Sequence, residues 1–252
     1  MDLGIRDKRV LITGASQGIG HACALAFAAE ACRVTIIARR NDTLQAVVEE
    51  MGGTAAGHEY LATDLMGRNA GTEAAVNLLR SGDPFDIVVH NVGGTLELKD
   101  PLAPAEMWNR VWHYNVGIAI DMNAELVPPM IERQWGRVIH ISSISAESMR
   151  GSAPYGAAKA YLNAYVKGLG RAVAPSGVVV SAVMPGAIWS EGGHWDRARK
   201  ERPGIEADFL RHHHAIGRLG TAEEIAPTVL FMASKHVTFA PAAIVPLDGG
   251  TM

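Results

Sequence analysis

The stretch that decides the fold is Val10-Leu11-Ile12-Thr13-Gly14-Ala15-Ser16-Gln17-Gly18-Ile19-Gly20. Its apolar start predicts a β-strand, and the alanine-rich residues 18–30 predict a helix. Glycine permits a tight turn and a close approach of backbone to a phosphate, and the helix N-terminus offers free N–H groups to an anion. We therefore expect Gly14, Ser16, Gly18, Ile19 and Gly20 to bind a dinucleotide. The spacing G-x-x-x-G-x-G differs from the commoner G-x-G-x-x-G, so an ordinary glycine-rich turn is the alternative.

Strands and helices alternate along the rest of the chain. The predicted strands are 10–12, 34–37, 58–62, 85–89, 137–141, 178–183 and 243–245, and the predicted helices are 18–30, 42–51, 72–80, 105–133, 155–174 and 222–233. Pro128 and Pro129 are expected to disturb the end of the fourth helix, because proline lacks a backbone donor. The pattern predicts the α/β fold class: a Rossmann-type, doubly wound parallel sheet of about seven strands with helices on both faces, in a single domain, 1–252.

Residues 190–220 form the one irregular region of this pattern. They are rich in glycine, histidine and charge. Ligands of open α/β sheets bind beyond the carboxyl ends of the strands, so an insertion here predicts a substrate lid. Trp189, His194, Trp195 and Arg197 either line a polar substrate pocket or close the lid onto the core.

Composition and charge argue against several classes of protein. The chain has 252 residues, 48% of them hydrophobic, and a formal net charge of −3. Without a basic excess we expect no nucleic-acid partner, and without a run of about 20 apolar residues we expect no membrane span. Two cysteines are too few for a disulfide framework, and the charged first nine residues do not suit a secretory signal. These features predict a cytoplasmic protein.

The end of the second predicted strand indicates which dinucleotide is bound. A carboxylate here binds the ribose 2′-hydroxyl of NAD, whereas an arginine suits the 2′-phosphate of NADP. The strand ends in Ala38-Arg39-Arg40 and carries no Asp or Glu. Arg39 is the first candidate for the 2′-phosphate and Arg40 the second, so NADP(H) is the expected cofactor. The alternative is a solvated turn between strand and helix.

Tyr155 and Lys159 stand four residues apart at the start of a predicted helix, which places both on one face. A free phenol has a pKa of about 10, too high for a base near neutrality, and a nearby ammonium lowers that pKa. The preceding strand ends in Ile141-Ser142-Ser143. A serine hydroxyl at this edge can hold a substrate oxygen while the tyrosine transfers a proton.

The ordered set of motifs resembles the short-chain dehydrogenase/reductase family, including its 3-oxoacyl reductases and its sugar or polyol dehydrogenases, over residues 9–250. The motifs are Thr13 to Gly20, Asp64-Leu65, His90-Asn91-Val92-Gly93, Asn115, Ser143, Tyr155 with Lys159, Pro185-Gly186-Ala187-Ile188-Trp189-Ser190 and Asp248-Gly249-Gly250. The resemblance implies an NADP(H)-dependent oxidoreductase that moves a hydride between nicotinamide and a ketone or secondary alcohol. His90 stands where the family often has an asparagine.

The resemblance also implies catalytic roles. Tyr155 would be the general acid/base, and Lys159 would bind the nicotinamide ribose and lower the pKa of the tyrosine. Ser143 would polarise the substrate carbonyl, and Asn115 would hold a water in a proton relay to Lys159.

A second implied set binds the cofactor. Asp64 would contact the adenine, Asn91 would shape the pocket and Ile188 would lie near the carboxamide. The other residues of this set are Leu65, Gly93, Pro185, Gly186 and Ser190, together with Tyr155 and Lys159.

Two neighbouring serines compete for one catalytic position. The family's usual spacing to the tyrosine names Ser142, whereas strand register measured from Gly136-Arg137 names Ser143. Neighbouring strand residues face opposite sides, so only one can serve. We choose Ser143, because a loop loses a residue more easily than a buried strand shifts its register.

Several readings stay open beside the leading one. The chain could be an NAD(H)-dependent sugar or polyol dehydrogenase, or a non-catalytic nucleotide-binding regulator. His212-His213-His214 predicts no metal site, because adjacent histidines seldom converge on one ion. The expected partners are a small-molecule carbonyl or alcohol substrate and further copies of the chain, as a tetramer or dimer.

Overall fold

Seven parallel strands form one sheet in the order β3-β2-β1-β4-β5-β6-β7. The computed structural model describes residues 1–149 and 151–251; Arg150 and Met252, part of the predicted domain, lie outside the described residues. The strands are β1 (Arg9–Thr13), β2 (Arg33–Ala38), β3 (Glu59–Ala62), β4 (Ile87–His90), β5 (Gly136–Ile141), β6 (Val178–Pro185) and β7 (Ile244–Leu247). The strand order reverses between β1 and β4, which creates a crevice at their carboxyl ends.

Helices cover both faces of this sheet. They are α1 (Gly18–Ala29), α2 (Asn41–Glu50), α3 (Ala70–Arg80), α4 (Ala105–Trp112), α5 (Ile118–Glu132), α6 (Ser145–Ser148), α7 (Ala153–Val173), α8 (His194–Glu201), α9 (Ile205–His213) and α10 (Ala222–Ala233). Helices α1, α2 and α10 pack on one face, and α3, α5 and α7 pack on the other. The predicted fold class is therefore confirmed.

Successive strand residues supply the two cores. Ile12 of β1 packs into the core beneath α1 and α10, while its neighbour Leu11 packs into the core beneath α5 and α7. This alternation explains why the strands are apolar throughout, since both faces are buried. Phe27 of α1 is fully buried, and burial of such a side chain contributes about 1.5–3 kcal/mol. The strand ends, and with them the crevice, are held in place by these cores.

The fourth predicted helix differs from the expectation in two ways. A π-helical turn, His113–Gly117, separates α4 from α5 and is here called the π-turn. The two prolines do not disturb the helix: Pro128 and Pro129 lie inside α5, which continues to Glu132. Pro128 has no N–H to donate to the carbonyl one helical turn before it. Because Pro128 is exposed, solvent can donate a hydrogen bond to that carbonyl instead.

The segment 190–220 is more regular than predicted. It contains α8 and α9, joined by a short turn, and the isolated bridge Ile188↔Gly220 closes its base. Trp195 of α8 packs against Phe209 of α9, with ring centroids 4.7 Å apart. Helix α8 has only two apolar residues, Trp195 and Ala198, among eight, and this is too few to indicate a helix in the sequence pattern.

No helix among the described residues is both long enough and apolar enough to cross a bilayer.

Candidate active site

A cleft of about 810 Å³ opens at the carboxyl ends of β1 to β4, where the strand order reverses. Pockets for small-molecule ligands usually enclose about 300–1,000 Å³. Most of the predicted cofactor residues line it: Gly14, Ser16, Gly18, Ile19, Arg39, Arg40, Asp64, Leu65, Asn91, Gly93, Ile188 and Ser190. Residues that are far apart in the chain thus converge on one crevice.

The glycine turn at one wall has the geometry that an anion needs. Gly14 and Gly18 have φ angles of +68° and +59°, a region that other residues avoid. Gln17 caps α1 without a side-chain hydrogen bond, so the first N–H groups of the helix remain available to a ligand. Gly20 does not line the cleft. A Cβ on Gly20 would lie 2.5 Å from both the Asn91 amide nitrogen and the Gly14 carbonyl, so this glycine serves packing.

Thr13 links the glycine turn to the end of the neighbouring strand β4. The Thr13 hydroxyl accepts hydrogen bonds from the backbone N–H of Asn91 at 3.1 Å and of Val92 at 3.3 Å. The Asn91 side chain donates to the Gly14 carbonyl at 2.9 Å. These contacts fix the ends of β1 and β4 against each other. Sequence reasoning placed Thr13 in the motif but gave it no role.

The part of the cleft at the end of β2, beside the glycine turn, carries positive charge. Arg39 and Arg40 follow β2, are exposed and line the cleft. Neither forms an ion pair with any residue that the structure describes. Asp64 lies after β3, and its carboxylate accepts a hydrogen bond from the Met66 N–H at 3.0 Å. Both guanidinium groups are thus free to bind an anion in the cleft.

The start of α7 orients Tyr155. The Ser152 hydroxyl accepts a hydrogen bond from the Tyr155 N–H at 3.3 Å and itself donates to the Leu98 carbonyl. Pro154 occupies the first turn, where its missing donor costs nothing. One turn later, the buried Lys159 donates from Nζ to the Ile141 carbonyl at 2.7 Å. Its Nζ lies 5.7 Å from the centre of the Tyr155 ring, so both side chains lie at the end of β5.

The two candidate serines point to different partners. The Ser142 hydroxyl donates to the Asn163 side chain of α7 at 2.6 Å. The Ser143 side chain instead lies within hydrogen-bonding reach of Tyr155 and accepts from the Ser145 N–H at 3.1 Å. The geometry brings Ser143, and not Ser142, to the tyrosine.

Burial dominates the electrostatics of this pair. Burial lowers the pKa of Lys159 to about 7, and no carboxylate of the described residues forms an ion pair with it. Burial also raises the pKa of Tyr155, and hydrogen bonding with Ser143 opposes this only in part. The shift is upward because desolvation of the phenolate is its largest cause. The lowering of this pKa by Lys159, which the family resemblance implies, stays a prediction.

Asn115 lies in the middle of the π-turn, and its side chain is fully engaged. Its Oδ1 accepts from the Gly94 N–H at 3.0 Å, and its Nδ2 donates to the carbonyls of Gly94 and Val111, both at 2.8 Å. A Cβ on Gly93 would lie 2.6 Å from Asn115 Oδ1 and 3.2 Å from Lys159 Nζ. Glycine at 93 therefore leaves room for both Asn115 and Lys159 beside it. Such π-turns are frequent at functional sites.

Some predicted residues lie beside the cleft, and some lining residues were missed. Pro185 and Gly186 do not line it; Gly186 packs against Asp248, where a Cβ would lie 2.7 Å from the Asp248 Cα. The lining residues that the sequence did not indicate are Gln17, Ala38, Thr63, Met66, Tyr114 and Ile118; Val92, part of the motif after β4, also lines the cleft. The rule that ligands bind at strand ends could have found Ala38 and Thr63. No sequence pattern marks Tyr114, which the π-turn brings to the cleft.

Among the residues that the structure describes, no group of three or more His, Cys, Asp or Glu side chains is placed to hold a metal ion.

The amino-acid sequence of this chain is similar to those of known dehydrogenases and reductases. The family model for short chain dehydrogenases matches residues 8–200. The 3-oxoacyl (acyl-carrier-protein) reductase of Escherichia coli strain K12 is 32% identical over 257 residues, which covers 98% of each chain.

Two solved structures share the fold over nearly their whole length. One is a 3-oxoacyl (acyl-carrier-protein) reductase from Agrobacterium tumefaciens C58 with NADP bound, 28% identical, with a TM-score of 0.90 and coverage of 98% of this chain and 95% of that chain. The other is L-sorbose reductase from Gluconobacter frateurii in complex with NADPH and L-sorbose, 30% identical, with a TM-score of 0.90 and coverage of 100% and 99%.

Proposed function

The chain belongs to the short-chain dehydrogenase/reductase family and is an oxidoreductase, and from this premise we propose that it transfers a hydride between NADP(H) and a ketone or secondary alcohol. The observation that carries the proposal is the convergence of Ser143, Tyr155 and Lys159 at the end of β5, beside the cleft. Tyr155 is the general acid and base of this proposal.

The residues of the cleft fit a dinucleotide. The glycine turn and the free N–H groups of α1 suit its pyrophosphate, and Arg39 and Arg40 suit a 2′-phosphate. Asp64 and Leu65 line the part of the cleft where an adenine would lie. The two structural neighbours named above were solved with NADP or NADPH, which supports NADP(H) over NAD(H).

In the direction of reduction, the protein's own residues hold and protonate the substrate oxygen. The Ser143 hydroxyl donates a hydrogen bond to the carbonyl oxygen, which polarises it. Tyr155 delivers its phenolic proton as that oxygen gains charge, and in the direction of oxidation it accepts the proton. Bound NADP(H) supplies the hydride chemistry. Lys159 is charged more readily when an anionic dinucleotide lies nearby, and its charge then favours the phenolate.

The relatives suggest two candidate classes of substrate. The E. coli and A. tumefaciens proteins are named for reduction of 3-oxoacyl groups, and the G. frateurii structure holds L-sorbose. A substrate panel for this chain should therefore pair 3-oxoacyl thioesters with ketoses. We further propose that the segment 190–220 is the substrate lid.

Replacement of Tyr155 tests the proposed function. We expect Tyr155→Phe to lower the rate of NADPH oxidation with any accepted ketone by about 10²–10⁴-fold, since proton transfer contributes this much. The measurement is the loss of NADPH absorbance. Tyr60→Phe is the matched control, because Tyr60 lies in β3 and does not line the cleft. Equal rates for Tyr155→Phe and the parent protein would contradict the role of Tyr155 as general acid and base. A parent protein that binds NADPH without turning over any substrate would favour the nucleotide-binding regulator.

We also propose that the chain forms a homo-oligomer. Trp112 of α4 and Tyr161 of α7 are 36% and 50% exposed and pack edge to face, with ring centroids 5.8 Å apart. Exposed aromatic pairs are typical of interfaces. A monomer mass in light scattering at micromolar concentration would contradict this.

A further inference from the structure

Two histidines lie paired behind the catalytic lysine, and the mechanism above uses neither. His90 ends β4, and His140 is its neighbour in register on β5. Their rings stack with centroids 4.8 Å apart and an angle of 21° between planes. His90 is 5% exposed and His140 is fully buried. Both imidazoles face the layer that α5 and α7 form on that side of the sheet.

One amide determines which ring nitrogens carry protons. Asn123 of α5 contacts the Nε2 of His90 through Oδ1 at 2.8 Å and the Nε2 of His140 through Nδ2 at 3.5 Å; Nδ2 also donates to the Tyr165 hydroxyl at 3.1 Å. An amide offers an acceptor on one side and donors on the other. One Nε2 therefore donates and the other accepts. Rotation of the amide by 180° exchanges the donor and acceptor roles of the two histidines, but one Nε2 still donates and the other still accepts.

The two Nδ1 atoms are therefore complementary. In a neutral imidazole, the nitrogen opposite a donating Nε2 is an acceptor, and the nitrogen opposite an accepting Nε2 is an N–H donor. Both Nδ1 atoms are buried, and neither has a hydrogen-bond partner among the described residues. Buried polar groups of this kind are costly unless they find a partner.

A small cavity adjoins both rings. It has a volume of about 10 Å³ and is lined by His90, His140, Asn115 and Ile141, among others. A cavity of about this size holds one water molecule when it offers polar partners. Ile141 is also the residue whose carbonyl accepts the hydrogen bond from Lys159 Nζ. The cavity is thus bordered both by the imidazole pair and by the residue whose backbone carbonyl holds the lysine.

We propose that His90 and His140 hold one water molecule between their Nδ1 atoms, and that this polar unit acts as a positioning device for Lys159. The water accepts a hydrogen bond from one imidazole and donates to the other. The water site follows from the geometry alone. Its effect on the reaction rests on the proposed function.

The pair is suited to this role because it stays neutral. Burial lowers the pKa of His90 to about 4 and that of His140 well below its usual value, and the charge on Lys159 lowers the latter further. Among the described residues, the titratable groups that face the pair are Lys159 and Tyr165 from α7 and Tyr114 from the π-turn. Neutral dipoles and a water solvate the ammonium without repelling it. Their replacement by an apolar group should lower the pKa of Lys159 further.

The first test addresses the water site without any turnover. Nitrogen-15 NMR of the histidine rings should show one imidazole protonated at Nε2 and the other at Nδ1, from pH 6 to 9. A crystal structure that resolves waters should show one within about 3.2 Å of both Nδ1 atoms. The same tautomer in both rings, a charged ring at pH 6.5, or no such water would each overturn the proposal.

The second test addresses the positioning of Lys159. The variants are His140→Leu, the milder His90→Asn and the double variant, with His236→Leu at an exposed site as control. NMR of the lysine side chain should show a pKa for Lys159 lower by roughly half a unit or more in His140→Leu, and no shift in the control. An unchanged pKa in both His140→Leu and the double variant would overturn the positioning role. If His140→Leu fails to fold, His90→Asn decides, because it removes one of the two Nδ1 atoms that hold the water. The pKa of Lys159 should then fall as well, and an unchanged pKa would overturn the positioning role.

A kinetic readout separates this proposal from the proposed function. In the direction of alcohol oxidation, the rising limb of kcat against pH should move to higher pH in the same variants, because a less charged Lys159 stabilises the phenolate less. If the NMR pKa of Lys159 shifts but the rising limb of kcat against pH does not, the two histidines have only a structural role and the proposed effect on catalysis is overturned. Absence of turnover in the parent protein would contradict the proposed function, while the NMR and crystallographic outcomes would still decide on the water.

Discussion

Arg39 is the residue on which the choice of dinucleotide depends in our proposal. It follows the last residue of β2, lines the cleft and forms no ion pair with the described part of the chain. A guanidinium group binds a phosphate through two parallel hydrogen bonds. A ribose 2′-hydroxyl is bound better by a carboxylate than by a guanidinium group. The sequence indicated this residue because strand ends of open α/β sheets line the crevice.

We predict that Arg39→Asp weakens NADPH binding by about 10²-fold, as loss of a charged hydrogen bond of about 2–3 kcal/mol implies. NADH binding should change little or improve. Fluorescence titration of the two dinucleotides measures both constants. Arg40→Asp is the matched variant, with a smaller expected effect. Equal losses for NADPH and NADH would remove Arg39 from the 2′-phosphate site.

The neighbouring serines offer a second comparison of single residues. We predict that Ser143→Ala lowers kcat/KM by about 10²-fold, since a preorganised donor to a developing oxyanion contributes about that much. Ser142→Ala should chiefly affect stability, because the hydroxyl that it removes binds Asn163 on α7. Rates and urea midpoints of both variants check this. The reverse pattern would assign the catalytic hydroxyl to Ser142.

At the scale of elements, α7 and the π-turn carry the site. Helix α7 places Tyr155 and Lys159 one turn apart on the face toward β5, and the Ser152 cap determines where that helix begins. The π-turn accommodates one extra residue within a continuous helical region, and it directs Asn115 toward Gly93 and Gly94. The spacing of Tyr155 and Lys159 predicted the first arrangement. The second arrangement has no counterpart in the apolar periodicity.

We predict that Ser152→Ala destabilises the protein by about 1 kcal/mol, the usual cost of losing a helix cap. It should also lower kcat more than it raises KM, because the cap holds the turn that carries Tyr155 and also binds the Leu98 carbonyl. Urea unfolding and steady-state kinetics measure the two effects. Ser148→Ala, a serine at the end of α6, serves as the comparison. A loss of stability without any change in kcat would limit Ser152 to a structural role.

At the scale of the whole molecule, the order of the strands creates the crevice and the sheet supplies its rigidity. The reversal between β1 and β4 leaves a gap that the glycine turn enters on one side and the loop after β4 on the other. The same burial that makes the sheet rigid places two histidines and a lysine in its interior. Burial of titratable groups couples the stability of the fold to pH.

We predict that the free energy of unfolding falls as the pH drops from about 6.5 toward 4. His90 has a pKa of about 4 in the folded protein and about 6.5 in the unfolded chain, so the unfolded state binds more protons in this interval. At pH 4.5 the loss from His90 is about 2–3 kcal/mol. Lys159, with a pKa of about 7 when folded, is half protonated at pH 7 and fully protonated at pH 4.5, so it adds only about 0.4 kcal/mol to the loss.

Urea unfolding at pH 7 and pH 4.5 measures this loss, and His90→Asn provides the control. The variant should lose less stability over the same interval than the parent protein. An equal loss in both would show that the imidazole of His90 is not the group responsible.

The amino-acid sequence by itself determined the class of fold, the glycine turn, the arginines after β2 and the shared face of Tyr155 and Lys159. These features are local: apolar runs, glycine positions and four-residue spacings act within one strand, turn or helix. Only the tertiary structure decided which serine meets Tyr155, that residues 194–201 and 205–213 form helices, that a π-turn carries Asn115, and that His90 stacks on His140. It also showed that burial raises the pKa of Tyr155. Each of these depends on which distant residues share a buried space, because desolvation and packing act between elements and leave no trace in a local pattern.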